Sequence, residues 1–262
     1  MSTRVEDFFS IDEKTSHSKI AELSIAYLLQ FDDDSLPLTK ATLHSMPLAQ
    51  YAAEQWIDHA KSGGMDHTVL QLTLRLLTSE SAPFKNWIRI HDIEGPYGSM
   101  DLIKNDFYSP LYYSSLTGMD EASDCLLQKM ENVNAKGGIY GNPLQAASCK
   151  GHEAIVKLLL ENGAEVNAKG GIYKNALRAA LYEGNEAIVK LLLKNGADTV
   201  DALETAILQG GNEAIMELLL ENGAEVNAKG GKYGNALQAA LYRGDEAIVE
   251  LLLENGAEVN AI

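Results

Sequence analysis

The stretch that decides the fold is Lys150-Gly-His-Glu-Ala-Ile-Val-Lys-Leu-Leu-Leu-Glu-Asn-Gly-Ala-Glu-Val-Asn-Ala-Lys-Gly170. It returns almost unchanged at Gly211–Gly230 and Gly244–Ala261, and a fourth copy runs from Gly184 to Asp198. The Asn-Gly-Ala markers begin at Asn162, Asn195, Asn222 and Asn255, in steps of 33, 27 and 33 residues. Self-similarity at such a period marks a stack of supersecondary units, each unable to bury its apolar face alone. One copy has lost six residues.

Each unit reads as two helices and a turn. Asn142-Pro143-Leu144 sets an amide at an N-cap and a proline at the first helical position, where no backbone donor is needed. That helix, 143–150, stops at Gly151, a residue that tolerates the left-handed conformation ending a helix. His152, or Asn185, Asn212 and Asp245 in the other copies, is then expected to cap a second helix that closes at Asn162-Gly163. The paired glycines after Val-Asn-Ala-Lys suit a tight hairpin. In the second helix Ala154, Ile155, Val156, Leu158, Leu159 and Leu160 leave only Lys157 and Glu161 for water. So wide an apolar circumference needs neighbours on both sides. At about 1.5–3 kcal/mol per buried aliphatic side chain, stacking is the dominant stabilising term.

Taken together, Asn-Pro/Ala-Leu-Gln/Arg-x-Ala, Gly-His/Asn/Asp, Ile-Val-x-Leu-Leu-Leu and Asn-Gly-Ala-Glu/Asp-Val-Asn-Ala resemble the ankyrin repeat over residues 133–262. The resemblance implies an all-α solenoid of helix-turn-helix units with hairpin loops. This chain departs from the family's Thr-Pro-Leu-His at Asn142-Pro-Leu-Gln145, Asn175-Ala-Leu-Arg178 and Asn235-Ala-Leu-Gln238. It also has Gly137, Gly170 and Gly230 where the family usually has a hairpin aspartate. A degenerate copy precedes the others: Ser109-Pro110-Leu111-Tyr112 lies 33 residues before Asn142, and Cys125-Leu126-Leu127 matches Leu158–Leu160. The expected repeats are about 100–132 (degenerate), 133–165, 166–198, 199–225 (shortened) and 226–258, followed by a stub at 259–262.

Residues 1–99 read as a helical capping domain. Helical spacing links Ile20, Leu23, Tyr27, Leu28 and Phe31, until Asp32-Asp33-Asp34 breaks it. A second helix is expected from Ser45 as cap through Leu48, Tyr51, Ala52, Trp56 and His59. A third runs through Val69, Leu72, Leu76 and Leu77, and a short fourth carries Trp87 and Ile90 after Pro83. The strings from Ser16 to Asp32 and from Pro47 to His59 resemble the helical segment before the C-terminal ankyrin repeats of fungal NACHT-type (NLR-like) receptors. That resemblance implies the rear portion of an intracellular receptor.

Composition narrows the function. The 262 residues carry 37 acids against 21 bases, a net charge of −16, which repels phosphate backbones and anionic lipid heads. Neither nucleic acid nor a membrane is the expected partner. Two cysteines, Cys125 and Cys149, offer no disulfide framework, and the opening residues lack the apolar core of a signal peptide. A cytoplasmic location is therefore expected. No P-loop occurs, and none of His17, His44, His59, His67, His91 or His152 stands in a zinc-ligand spacing. Cys149 lacks the base and orienting group that a nucleophile needs. No catalytic residue, cofactor or metal is therefore assigned.

What remains is a surface. Shared positions hold a repeat array together, and differing ones are free to meet a partner. The differences fall on the hairpins, at Ile139, Ile172 and Lys232 and at Gly141, Lys174 and Gly234. They fall also at first-helix ends, at Cys149-Lys150, Tyr182-Glu183, Gln209-Gly210 and Tyr242-Arg243. In ankyrin proteins these rows form the concave binding face. With the hairpin aromatics, the candidate protein-binding residues are Ile139, Tyr140, Lys150, Tyr173, Lys174, Tyr182, Glu183, Lys232, Tyr233, Tyr242 and Arg243, since tyrosine and arginine are typical hot spots. The shortened copy should leave a notch with an acidic groove (Asp201, Glu204, Glu213, Glu217, Glu221, Glu225) that favours a basic partner segment. The apolar second helix of the final copy, 247–253, implies either that the array continues or that this end packs on a second molecule, so self-association is one expectation. The functional expectation is a non-catalytic interaction scaffold, the sensing part of a NACHT-like receptor; the alternative is a free-standing adaptor presenting a substrate to an enzyme such as a ubiquitin ligase.

Overall fold

The computed structural model describes residues 12–33, 35, 38, 40–78, 80–91 and 107–259. Positions 100–106 of the degenerate copy and 260–262 of the stub lie outside them. The described residues form fifteen α-helices and no strand. Two compact units result: Met1–Pro110 with Glu121–Met130, and Leu111–Asp120 with Glu131–Ile262. The division runs through the degenerate copy.

The first unit holds α1 (Glu13–Leu28), α2 (Lys40–His44), α3 (Ala49–Gly63), α4 (His67–Leu76) and α5 (Ala82–Ile90). The carboxylates of Asp12 and Asp66 and the Ser81 hydroxyl cap α1, α4 and α5 by accepting from the Thr15, Val69 and Phe84 amides. Ser45 does not cap α3 as expected. Its hydroxyl donates to the Thr42 carbonyl at the end of α2, and α3 starts behind Leu48 with no side-chain cap. Gly63 on α3 abuts the Ser18 backbone, so a Cβ there would overlap α1. Trp56 and Trp87, both fully buried, meet edge to face at 5.5 Å, and the Trp87 indole donates to the Ala53 carbonyl (3.1 Å). The equally buried Asn86 amide donates to the carbonyls of Phe31 (2.9 Å) and Asp33 (3.0 Å), tying down the chain after α1.

The degenerate copy supplies α6 (Pro110–Thr117) and α7 (Asp120–Gln128). Four helix pairs come next: α8 (Pro143–Lys150) with α9 (Glu153–Glu161), α10 (Ala176–Tyr182) with α11 (Glu186–Lys194), α12 (Ala202–Leu208) with α13 (Glu213–Glu221), and α14 (Ala236–Arg243) with α15 (Glu246–Glu254). The inner helices α8, α10, α12 and α14 pack in series, and the outer ones do the same behind them. Ile155, Val156 and Leu159 with Ile188, Val189 and Leu192 are wholly buried, and Ile215, Met216 and Leu219 continue the layer. Asn142, Asn175 and Asn235 accept from the Gln145, Arg178 and Gln238 amides at 2.8 Å, which starts three inner helices. Asn185, Asn212 and Asp245 cap outer helices as expected. His152 does not, and its imidazole Nε2 lies instead 3.2 Å from the Leu116 carbonyl.

Three hairpins stand in the array, each closed between Gly137 and Gly141, Gly170 and Lys174, or Gly230 and Gly234. The second glycine of each pair, with φ between 61° and 74°, takes the left-handed form against the preceding copy. A Cβ there would overlap Tyr112 at Gly138, the Tyr140 backbone at Gly171 and the Glu204 carboxylate at Gly231. The shortened copy has no hairpin. Its first helix starts at Ala202, five residues after Ala197, where the preceding copy takes twelve from Ala164 to Ala176. One residue is recovered after α12, at Gly210-Gly211, which leaves the net loss at six.

Candidate protein-binding surface

The hairpins and the C-terminal ends of the inner helices bring most of the candidate residues together in two stations. At the first, the rings of Tyr140 and Tyr173 stack (6.2 Å between centroids, 11° between planes), and Tyr173 meets Tyr182 at 4.8 Å. The Lys150 ammonium lies over the Tyr140 ring at 5.4 Å, within cation–π range. Cys149 donates to the Glu183 carboxylate at 3.7 Å. Burial, then the neighbouring Cys149 and Glu183, pushes the Tyr173 hydroxyl well above its ordinary pKa. Burial raises the Cys149 thiol above its ordinary pKa, against a hydrogen bond from Tyr173 that lowers it and with further support from the Glu183 charge. Both groups therefore stay protonated and neutral at physiological pH, and Cys149 is a poor nucleophile. At the second station Tyr233 and Tyr242 lie 4.5 Å apart, the Lys232 ammonium sits 5.1 Å over Tyr233, and Arg243 donates to the Leu208 carbonyl at 2.8 Å.

Exposure sorts these residues. Tyr182 (46 %), Tyr242 (71 %) and Ile139 (38 %) present apolar surface to solvent, and Lys150, Lys174, Glu183, Lys232 and Arg243 are exposed as well. Tyr173 and Tyr233 are half-buried. Tyr140 is buried at 8 % and supports the Tyr173 ring from behind instead of offering a face of its own.

Between the stations lies the notch. A cavity of about 570 Å³ opens beside Asp201, Glu204, Gly223, Glu225 and Asn227, and another of about 360 Å³ beside Lys169, Lys174, Arg178 and Asp198. The expected acidic groove forms in part: Asp201, Glu204 and Glu225 line the larger cavity, and the other three carboxylates do not. Glu213, Glu217 and Glu221 stand on the outer helix α13. Asp201 pairs with Arg178 at 3.8 Å, and the Glu204 carboxylate accepts from the backbone amides of Lys232 (2.7 Å) and Tyr233 (3.0 Å). Lys169, Lys174 and Lys229 line the same cavities, so their walls are of mixed charge.

Two structural roles are not legible in the sequence alone. Gln145, Arg178, Glu204 and Gln238 share one position on the inner helices, and three of them brace the next copy. Gln145 donates to the Ala168 carbonyl (2.8 Å) in the next hairpin, Arg178 turns to Asp201, and Glu204 accepts from the hairpin beyond the notch. The second role belongs to the asparagine of Val-Asn-Ala. Asn134, in the loop before α8, accepts from the Glu165 amide (2.8 Å) and donates to the Gly163 carbonyl (3.2 Å) in the loop after α9, tying together the two loops that flank its helix pair. Asn167 does the same with Asp198 (2.8 Å) and Gly196 (2.9 Å), and Asn227 with Glu258 (2.8 Å) and Gly256 (2.9 Å). Recurrence of this asparagine in three copies, with Val200 in the shortened one, is a signal the sequence carries; its partners, about thirty residues away, are not.

Among the described residues no group of three or more His, Cys, Asp or Glu side chains is arranged to hold a metal ion. Nor is any described helix long and apolar enough to cross a membrane. A curated relative, the azaphilone pigments biosynthesis cluster protein L of Monascus ruber, is 35 % identical over 51 % of this chain. The match spans 31 % of that relative's length. The family model described as "Ankyrin repeats (3 copies)" matches residues 75–170 and 177–262, well over half of the sequence. With its helix pairs, its hairpins and its aliphatic layers in agreement, the chain belongs to the ankyrin-repeat family, whose repeats mediate contacts between proteins.

Proposed function

We propose that this chain is a non-catalytic scaffold that captures another protein on its hairpins and inner-helix ends. The observation that carries the reading is the pair of aromatic stations, where exposed Tyr182 and Tyr242 are each backed by a half-buried tyrosine and flanked by charged side chains. Rings already held in place lose little side-chain entropy on binding, which favours them as anchors. The regulatory part of a NACHT-like fungal receptor is the finer reading, supported by the strings 16–32 and 47–59. The name of the Monascus relative supports a second one, a scaffold serving a biosynthetic gene cluster.

Selection from a displayed random-peptide library tests the scaffold. Binders enriched on the wild-type chain should weaken about tenfold on Tyr182→Ala or Tyr242→Ala, with thermal unfolding unchanged because both rings are exposed. Binders indifferent to both changes would overturn the reading. Leu241 (60 % exposed) and Leu253 (42 %) form an apolar face whose counterparts Leu181 (1 %) and Leu193 (7 %) are covered by the following copy, and either a further repeat or a second molecule would cover it. Sedimentation velocity that stays monomeric at high concentration would sink the second molecule.

A further inference from the structure

The charge of the candidate surface runs against the charge of the chain. In a protein of net charge −16, the exposed row of differing positions carries Lys150, Lys174, Lys232 and Arg243 against Glu183 alone. The acid of the array is carried behind it, on outer helices: Glu213, Glu217 and Glu221 on α13, and Glu246, Glu250 and Glu254 on α15. The carboxylates that do reach the row are engaged within the molecule. Glu183 accepts from Cys149, Asp201 faces Arg178, and Glu204 holds two backbone amides. The cations keep capacity for an external anion. Lys150 and Lys232 are exposed beside tyrosine rings, and an ammonium has three N–H donors, so each keeps donors beyond its ring contact; Arg243 reaches the Leu208 carbonyl through Nη1, one part of a guanidinium with five N–H donors.

Resting on the scaffold reading, we propose that the partner is a protein with an extended acidic segment that bridges the two stations across the notch. Its first carboxylates pair with Lys150 and Lys174 beside Tyr182. Its last pair with Lys232 and Arg243 beside Tyr242. The spacing comes from the packing: α10 and α14 carry the two exposed tyrosines and are separated by α12 alone. At about 8–10 Å between packed helix axes the stations stand roughly 16–20 Å apart. An extended chain covers that distance in about five or six residues at ~3.3 Å each. The missing hairpin keeps the path open, since the residues that would stand there are replaced by the low turn at 198–201.

The test uses the full chain and fluorescein-labelled peptides read by anisotropy. One peptide has Asp-Glu-Leu and Leu-Asp-Glu ends with about five Gly/Ser residues between; a second has Lys and Arg in place of the acids; a third keeps the acidic ends but only one spacer residue. The first should bind at least about tenfold more tightly than either of the others at low salt, and should weaken as salt rises. Lys150→Glu with Lys174→Glu, and separately Lys232→Glu with Arg243→Glu, should each cost about tenfold. Lys190→Glu, an exposed charge on the outer helix α11, should cost nothing. Circular dichroism on each variant separates loss of binding from loss of fold. The proposal falls if the basic peptide binds equally or better, if none binds, if only one station responds, or if a single-stranded oligonucleotide of matched charge binds as tightly as the acidic peptide. A basic peptide that wins while remaining sensitive to Tyr182→Ala would overturn the acidic partner and leave the scaffold standing.

Discussion

Two steps of the same array are built differently. From the hairpin before α8 to the loop and hairpin before α10, the join is made by the Asn134 clamp, by the Gln145 brace, and by a hairpin-to-hairpin bond from the Ile172 amide to the Ile139 carbonyl (2.9 Å). From the turn before α12 to the loop and hairpin before α14 there is no clamping asparagine, because Val200 holds that position, and no preceding hairpin. The Glu225 and Gly223 groups that a clamp would meet line an open cavity instead. Glu204 reaches across to the next hairpin, where its carboxylate stands in for the carbonyl that a hairpin would have offered, and Arg243 reaches back to the Leu208 carbonyl. The apolar layer continues through both steps, so the fold survives. Burial thus holds the array together, while the polar join sets how firmly each copy is fixed to its neighbour.

The largest expected effect tests that separation. Leu192, wholly buried on α11 before the weak step, should cost about 2–5 kcal/mol as Leu192→Ala and lower the urea midpoint of the whole repeat unit. Leu252→Ala, equally buried but beyond the step, should open residues 226–258 locally, seen as faster amide exchange there with 133–198 unchanged. Equal responses across all copies would mean that the two steps are equally strong. Next comes repair. Replacing residues 198–201 with the sequence of residues 165–175, together with Arg178→Gln and Glu204→Gln, should restore clamp, brace and hairpin and add about 1–2 kcal/mol. No gain in thermal midpoint would show that the shortened step was never the weaker one.

The apolar layer is legible in the sequence because it repeats: Ile-Val-x-Leu-Leu-Leu at fixed spacing can pack only one way. Helix starts at Asn142, Asn185 and Asp245 are legible too, since a cap and its target lie three residues apart. His152 misleads because it occupies a cap position while its ring serves the previous copy, and the bond to Leu116 spans 36 residues. The acidic groove misleads for a related reason. Counting carboxylates in a segment ignores which helix face each one occupies, and Glu213, Glu217 and Glu221 recur every four residues along α13, away from Glu204 on α12. The two tyrosine stations can be read as a row, but the burial of Tyr140 depends on Tyr173 from the next copy, a contact outside any single unit.

Removing the stand-in should give a smaller effect than repairing the step. Glu204→Gln keeps the shape but loses the charge-assisted acceptance of two amides, one exposed and one half-buried, at about 1 kcal/mol. Faster exchange at the Lys232 and Tyr233 amides is the expected readout, and unchanged exchange would remove Glu204 from the join. Acid offers a control that touches neither step. In the other unit the Nδ1 atoms of His17 and His59 lie 2.7 Å apart, and Tyr51 meets His59 Nε2 at 2.8 Å. Burial, and then the charge of His17, lowers the His59 pKa below its ordinary 6.5, against a smaller opposing pull from Asp58. The unfolded chain therefore binds the proton first. Stability from this site is full above about pH 6.5, falls as the pH drops below it, and levels off under the folded pKa. His59→Gln should flatten that part of the pH profile and leave exchange in residues 133–258 untouched.

The smallest effect isolates strain from charge within the regular part of the array. Lys174 closes its hairpin with φ at 72°, the place held by Gly141 (102°) and Gly234 (96°) in the other two. A left-handed side-chain residue costs about 1–2 kcal/mol, and the greater freedom of glycine when unfolded cancels roughly half of the relief. Lys174→Gly should therefore stabilise the repeat unit by about 0.5–1 kcal/mol, whereas Lys174→Ala keeps the strain and should leave the thermal midpoint nearly unchanged. Both variants remove the amine, so both should weaken an acidic peptide equally. A hairpin that tolerates strain to keep a lysine at the first station gains in stability and loses in binding when that lysine becomes glycine, and opposite signs in the two measurements are what distinguish a binding position from an accident of the turn.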